Sequence, residues 1–315
     1  MVSVSESKTM KTGLFSTAAV LAMASFCTAQ SVRWSAPVLG YYYDSETRSI
    51  RLIGGVPGAA SLDGGLPVGS KLESAALSPS RDYAFATSLE SEHTLVVSFR
   101  GAQVTGSQAL DQAASGFDSA WFSPDGRSAA LVWKTDGKIQ IWNNLPGSPE
   151  LAREGNVGDF AALAVANGGA QVAVADSSGV HLLGADAPLL AGTGFTALAF
   201  SPLSGDLAAA NRDLGQIMLL SGDKQIALGA PGAQAIGFSA DGSRLLATAG
   251  NQILSFDLGT NAATALTCDC SLSTLERVQG NAVFRVSSAK DGYFSLYDGD
   301  SVEPRITLIA AGGIQ

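Results

Sequence analysis

The sequence has only two histidines, His93 and His181, and three cysteines in 315 residues. A catalytic or metal-bound histidine needs a convergent partner, and here each histidine has only the other to offer. Both fall in or just before third strands of the repeat described below and are read as ordinary strand residues. Cys27 lies in a segment expected to be removed, which leaves Cys268 and Cys270. In an oxidising compartment these two are a candidate disulfide pair. Extended residues two apart lie near the upper limit of disulfide Cα spacing. Free thiols, a metal contact or a bridge to another chain therefore remain open. A Cys-x-Cys metal site would need further soft ligands, which the chain has little means to supply.

Basic residues are also scarce, with 19 Lys and Arg against 28 Asp and Glu and a net charge of −9. An acidic surface repels phosphate backbones and no basic run offsets it, so nucleic acid is excluded as a partner class. Charged residues make up only 15% of the chain while glycine reaches 36. That balance suggests many tight turns and a sheet-rich body with a small-residue core, not a set of charged surface helices. Recognisable catalytic motifs are missing too: there is no Gly-x-Ser-x-Gly elbow, Walker loop or His-Glu-x-x-His helix. No cofactor or metal is expected. A pair of hydrolytic carboxylates would take its spacing from the fold alone. The closest local cluster, Asp298-Gly299-Asp300, reads as a loop after a third strand.

Long apolar runs are confined to one place. Lys8 and Lys11 precede an apolar stretch from Leu14 to Ala24, and Cys27-Thr28-Ala29 supplies small residues at a cleavage site. Residues 1–29 are therefore expected to be a secretory signal peptide. Met10 offers an alternative start that would give a signal of more usual length. The stretch is too short and too rich in Ser and Thr for a membrane span. Phe26 stands before Cys27 where a lipoprotein signal needs a small residue. No second apolar stretch of about 18 residues follows, so no transmembrane segment is expected. The mature chain, 30–315, is expected to be exported, to the periplasm or beyond, with 17 basic and 27 acidic residues.

What the chain does have is a phrase written several times. Phe122-Ser123-Pro124-Asp125-Gly126 returns as Leu77-Ser78-Pro79, Phe200-Ser201-Pro202 and Phe238-Ser239-Ala240-Asp241-Gly242. The serines are 45, 78 and 38 residues apart. The middle interval holds a worn copy, Ala161–Ala166 followed by Asn167-Gly168-Gly169. Another follows at Leu275–Val278 with Gly280-Asn281. A period near 40 residues matches one four-stranded propeller blade. Within a unit, a short strand (Ser119–Phe122) leads into the turn and a second strand (Ser128–Trp133) leads out. A third follows after Thr135-Asp136-Gly137: Lys138–Trp142, with period-2 alternation. Pro presets φ and Gly takes the positive φ that side chains resist, so the phrase is a hairpin turn.

The expected fold is all-β: a seven-bladed β-propeller of four-stranded antiparallel blades. Units are placed at about 31–70, 71–115, 116–157, 158–192, 193–231, 232–270 and 271–315. A blade cannot bury both faces alone, so it stacks on its neighbours and the ring closes. Leu39–Asp44 and Arg48–Ile53 read as middle strands of the first unit, and Gly101–Gly116 as the longest loop. Closure would either pair Ser31–Trp34 with the last blade or leave every blade complete in sequence.

Asp136–Asn143 resembles the WD-repeat signature, with Asp six residues before the aromatic, and Asp291–Asp298 repeats that spacing. Gly250 to Asp257 keeps the spacing without the Asp. The Gly-His pair that opens typical WD repeats is absent, so the family's histidine-centred tetrad is not implied here. The Ser-Pro-Asp-Gly phrase is similar to bacterial WD-like repeats such as those of the periplasmic propeller of the Tol system. The resemblance implies an exported propeller.

Asp136, Asp176, Asp213 and Asp291 all fall in turns between second and third strands. They would form either a ring of cation-binding carboxylates or a recurring set of turn acceptors, and recurrence favours the turn role. Trp121 and Trp142 are expected in the core, and Tyr41–Tyr43 in blade packing. Trp133, beside Lys134, is the surface aromatic candidate. The leading functional expectation is a non-catalytic exported propeller that binds a protein or envelope component. Its candidate face holds the turns after second and fourth strands: Trp133, Arg153, Asp159, Arg212 and Asp213. The alternative is a propeller hydrolase, of lactonase or glycosidase type, with a site over the central channel.

Overall fold

Short apolar runs separated by Ser-Pro and Asp-Gly turns cannot build long elements, and the computed structural model contains strands without helices among its described residues. It describes Met1, residues 37–287 and residues 293–310. The expected signal peptide, apart from Met1, and Ser31–Trp34 lie outside them, as do Asp291 and the end of the chain beyond Ala310.

Seven antiparallel sheets follow one another along the chain, at 38–65, 72–114, 119–156, 162–191, 195–229, 233–267 and 276–310. Together they make a seven-bladed β-propeller. Six are four-stranded meanders, and the first has three described strands. In each, sequence order is spatial order, as hairpin connections require. Blade three shows the grammar: Ser119–Phe122 pairs with Ala129–Trp133, that with Lys138–Asn143, and that with Glu150–Asn156. Burial in this blade is greatest in the second strand and least in the outer one, the channel-lining first strand being half-buried. Ala129–Trp133 is buried throughout, whereas Glu150–Asn156 is mostly exposed.

Large residues on one blade fill the space left by small ones on the next. Phe85 of blade two is fully buried, stacked on Phe122 of blade three with centroids 5.6 Å apart and edge-on to Phe117 at 6.4 Å. Burying such a ring contributes about 2–3 kcal/mol. Ala208 and Ala210 of blade five accommodate Phe238 and Phe256 of blade six. Blades one and seven close the ring in the same way: Leu39 and Ile53 pack with Val278, Phe294 and Ile309. Arg305 also donates to Pro57 O at 3.2 Å. Among the described residues blade seven takes its four strands from 276–310.

The repeated phrase is the turn between first and second strands, and its serine is the buried anchor. Ser123 Oγ lies 2.6 Å from Asp125 Oδ1 and accepts from Ser128 N at 3.0 Å. Ser239 repeats this with Asp241 at 2.7 Å and Arg244 N at 3.0 Å. The two worn copies place an asparagine where it grips the preceding blade. Asn167 Oδ1 accepts from Asp125 N at 3.0 Å, and Asn281 Oδ1 accepts from Asp241 N at 2.8 Å. The lost Ser-Pro is thus replaced by a bond between blades.

Two local expectations are corrected. Gly101–Gly116 is not a loop: Gln103–Ala114 is a 12-residue outer strand. It buries only Leu110 and Ala113, so the alternation that marks a half-buried strand is absent from its sequence. Val38–Asp44 is not a middle strand but the innermost described strand of blade one, with Gly40–Tyr43 facing the channel.

Candidate functional site

The inner strands of all seven blades surround a central channel, which widens into a cavity of about 630 Å³. It is lined by the C-terminal halves of the inner strands, including Ala75–Pro79, Ala120–Pro124 and Leu198–Phe200. It therefore opens toward the Ser-Pro turns. Small residues at Ala76, Ala120, Ala164, Ala199 and Gly237 leave the room. Trp121, Phe122 and Tyr41–Tyr43 give one wall an aromatic character.

The charges on this wall run against those of the chain. Among the described residues, three arginines, Arg81, Arg277 and Arg285, and one carboxylate, Glu276, line the cavity, an excess of two positive charges in a chain of net −9. Arg285 is neutralised by Glu276 at 2.6 Å and lies over the Tyr42 ring at 5.5 Å. Arg277 reaches across the channel from blade seven and donates to Pro124 O of blade three at 2.9 Å. Burial, and then the like charge of Arg81, pull its pKa below the ordinary arginine value. Neither Arg81 nor Arg277 has an ion-pair partner among the described residues.

The five residues expected to bind lie elsewhere. Arg212 and Asp213 occupy the exposed turn after the second strand of blade five. Antiparallel pairing puts that turn at the end of the blade opposite the Ser-Pro turns. Asp213 accepts from Thr193 Oγ1 at 3.5 Å. Arg153 sits on the outer strand of blade three, donating to Leu183 O at 3.4 Å, and Asp159 is exposed in the following connection. Trp133 is corrected from surface to core. It is 7% exposed and packs with Phe85, Leu131 and Trp142, while Lys138 lies 5.9 Å from its ring centroid. The end of a second strand is still between neighbouring strands, so a large ring there is covered. Trp121, expected in the core, is half-buried in the channel wall, edge-on to Phe160 at 6.5 Å. No hydrogen bond or ion pair joins Trp133, Arg153, Asp159 and the Arg212–Asp213 turn to one another among the described residues.

The remaining candidates hold turns. Asp176 Oδ1 accepts from Ser178 Oγ at 2.6 Å, Ser178 N at 2.7 Å and Gly179 N at 3.1 Å. These bonds, with Ser178 foremost, hold its carboxyl below the usual range. His181 Nε2 stands 2.8 Å from Ser178 Oγ and 3.5 Å from Asp176 Oδ1. A relay triad needs serine and carboxylate on opposite ring nitrogens. Here both face Nε2, so the cluster is a turn brace. Asp136 is exposed, His93 is half-buried with Nδ1 unpartnered, and Trp142 is in the core. Asp300 accepts from Asn281 N and Ala282 N at 2.7 and 2.8 Å, and Asp298 pairs with Arg305 at 3.3 Å. Tyr41, Tyr42 and Tyr43 pack between blades as well as on the channel: Tyr41 donates to Gly101 O at 3.0 Å and Tyr42 stacks on Phe294. Cys268 and Cys270 are joined in a disulfide with Cα atoms 5.2 Å apart. Among the described residues no group of three His, Cys, Asp or Glu could hold a metal, and no helix is long and apolar enough to cross a membrane.

Sequence reasoning missed Arg81 and Arg277. Their signal was present as departures from the repeat: Arg81 stands where the phrase has Gly126 and Gly242, and Arg277 where it has Phe122 and Phe238.

No protein-family model matches the sequence, and no curated protein matches it. Among solved structures, the chain is similar to one from Desulfotomaculum acetoxidans DSM 771, described as a functionally unknown protein. The two are 15% identical with a TM-score of 0.57, over 88% of this chain and 100% of that one. The likeness carries the fold.

Proposed function

We propose that this chain is an exported binding propeller, akin to the bacterial WD-like and Tol-type propellers, that holds a protein or envelope component at the Ser-Pro end of its central channel. The carrying observation is the cavity itself, concave, partly aromatic and bearing two arginines that have no ion-pair partner among the described residues. Concave sites with an apolar body and a few convergent polar groups are the usual form of a ligand pocket. A hydrolase reading has less support. Among the described residues the one carboxylate lining the cavity, Glu276, is held by Arg285 at 2.6 Å, whereas glycoside chemistry calls for a pair of carboxyl groups.

The test is capture from the native envelope fraction on the full-length protein, its heat-unfolded form, and two variants. One variant, Trp121→Ala, alters the cavity, and the other, Arg212→Ala with Asp213→Ala, alters the opposite face. The reading expects one component retained by the folded protein and by the opposite-face variant, and lost with Trp121→Ala. Retention that depends on Arg212 and Asp213 but not on Trp121 would move the site to the other face.

A further inference from the structure

Arg81 and Arg277, the arginines of the channel mouth without an ion pair among the described residues, are both exceptions to the repeat. Four turns close with the same bond, from the N–H of their fourth residue to the carbonyl of their first. These are Arg81 to Ser78 at 2.9 Å, Gly126 to Ser123 at 2.9 Å, Gly169 to Ala166 at 3.0 Å and Gly242 to Ser239 at 3.0 Å. The three glycines take φ of 68°, 70° and 66°, and Arg81 takes 62°. A side chain there carries a backbone penalty that glycine avoids, and such penalties gather at functional sites. Arg277 breaks a different position. The last residue of the inner strand, paired seven residues on, is Leu77, Phe122, Val165, Phe200 and Phe238 in blades two to six and Arg277 in blade seven.

Both line the same cavity, and Arg277 extends from blade seven to Pro124 O of blade three, the blade next to the one that carries Arg81, whose like charge bears on it. Placing two guanidinium groups together in a partly buried site is unfavourable unless an anion completes it. The chain has 28 acidic residues, yet the two beside these arginines in sequence, Asp82 and Glu276, are paired with Arg127 at 3.2 Å and Arg285 at 2.6 Å. Arg277 spends one donor on Pro124 O, and a guanidinium presents five in a planar fork suited to oxyanions.

We propose that the channel mouth is an oxyanion site. Arg81 and Arg277 together clasp the carboxylate or phosphate of an organic ligand whose apolar body lies against Trp121 and Phe122. This rests on the channel being the binding site, and it names the chemistry that site selects.

Trp121 reports on the site directly. In the full chain carrying Trp34→Phe, the other tryptophans, Trp133 and Trp142, are 7% and 3% exposed, so collisional quenching reads Trp121. Iodide, an anion, and acrylamide, a neutral quencher, are compared, each alone and with hexanoate, hexyl phosphate or hexanol present. Iodide quenching relative to acrylamide is expected to fall about threefold in Arg277→Met and in Arg81→Gly, as a local anion excess is lost. Arg153→Met, on an outer strand, leaves it unchanged. Arg81→Gly restores the residue the repeat uses and so is safe for folding. Hexanoate or hexyl phosphate should protect Trp121 from iodide while hexanol does not, and whichever protects at lower concentration identifies the head group. The proposal is overturned if the Arg81→Gly/Arg277→Met double variant keeps wild-type iodide quenching, or if neither charged hexyl compound protects. Because no partner is needed, this result is independent of envelope capture. Failed quenching with successful capture removes the oxyanion site and leaves the binding propeller standing.

Discussion

The turns of blades two and three share one frame and differ at its most constrained position. Both begin with a buried serine followed by proline, and both close through the same 2.9 Å backbone bond. At the closing residue blade three has Gly126 and blade two has Arg81, with φ within a few degrees of each other. The two turns are close: a Cβ added to Gly126 would clash with Ser78 Oγ and Ser80 Oγ. Tyr83 donates to Gly126 O at 2.8 Å beside this contact. Blade three obeys the physics of the turn, and blade two sets it aside for a charge at the channel mouth. In a repeat protein, such local costs point to function more sharply than the regular positions do.

The comparison breaks most strongly when the residues are exchanged. Gly126→Arg should lose about 3 kcal/mol of unfolding free energy, read by urea denaturation, since it adds the positive-φ penalty to a clash with blade two. A loss below about 1 kcal/mol would show that the two turns are not under the same constraint. Asn281→Ala should cost about 2 kcal/mol by the same measurement. It removes two inter-blade bonds, from Asp241 N at 2.8 Å and to Asp241 Oδ2 at 2.9 Å. An unchanged midpoint would mean that the worn turns do not lock neighbouring blades. Arg81→Gly goes the other way, and should raise stability by about 1 kcal/mol as strain and like-charge repulsion are relieved. A clear loss there would make Arg81 a structural residue.

Much of the fold was readable because a propeller is written in short local rules. Ser-Pro-Asp-Gly needs only backbone geometry, and its recurrence near every 40 residues counts the blades. Gln103–Ala114 escaped because an outer strand meets solvent and needs no apolar alternation. Trp133 was misplaced because adjacency to Lys134 says nothing about cover from Phe85 and Trp142. The channel was hidden for a different reason. Its lining is drawn in short segments from seven distant units, and no linear pattern brings Arg81 and Arg277 to the same cavity. Those arginines could be found only by aligning the repeats and asking which residue fails to fit.

The smallest expected effect concerns acid. Burial pushes the Asp241 carboxyl up, but bonds from Ser239, Ser243 and Asn281 outweigh it and hold its pKa at about 2. A depressed folded pKa contributes stability above the unfolded value, which is lost as pH falls from about 4 toward 2. Asp241 is largely exposed, so solvent screening reduces the size of that contribution. Asp241→Asn should therefore flatten the decline in melting temperature between pH 4 and 2 slightly. An identical decline in both proteins would remove Asp241 from the acid response.

Arg81 and Arg277 are proposed to form one anion site. It is tested most directly by a crystal of the full chain soaked in iodide, with the ion located by its anomalous scattering. The account predicts a peak at the channel mouth in contact with both the Arg81 and Arg277 guanidinium groups, absent from the Arg277→Met protein. Iodide found only at exposed arginines such as Arg153 and Arg212, with the mouth unoccupied, would contradict it.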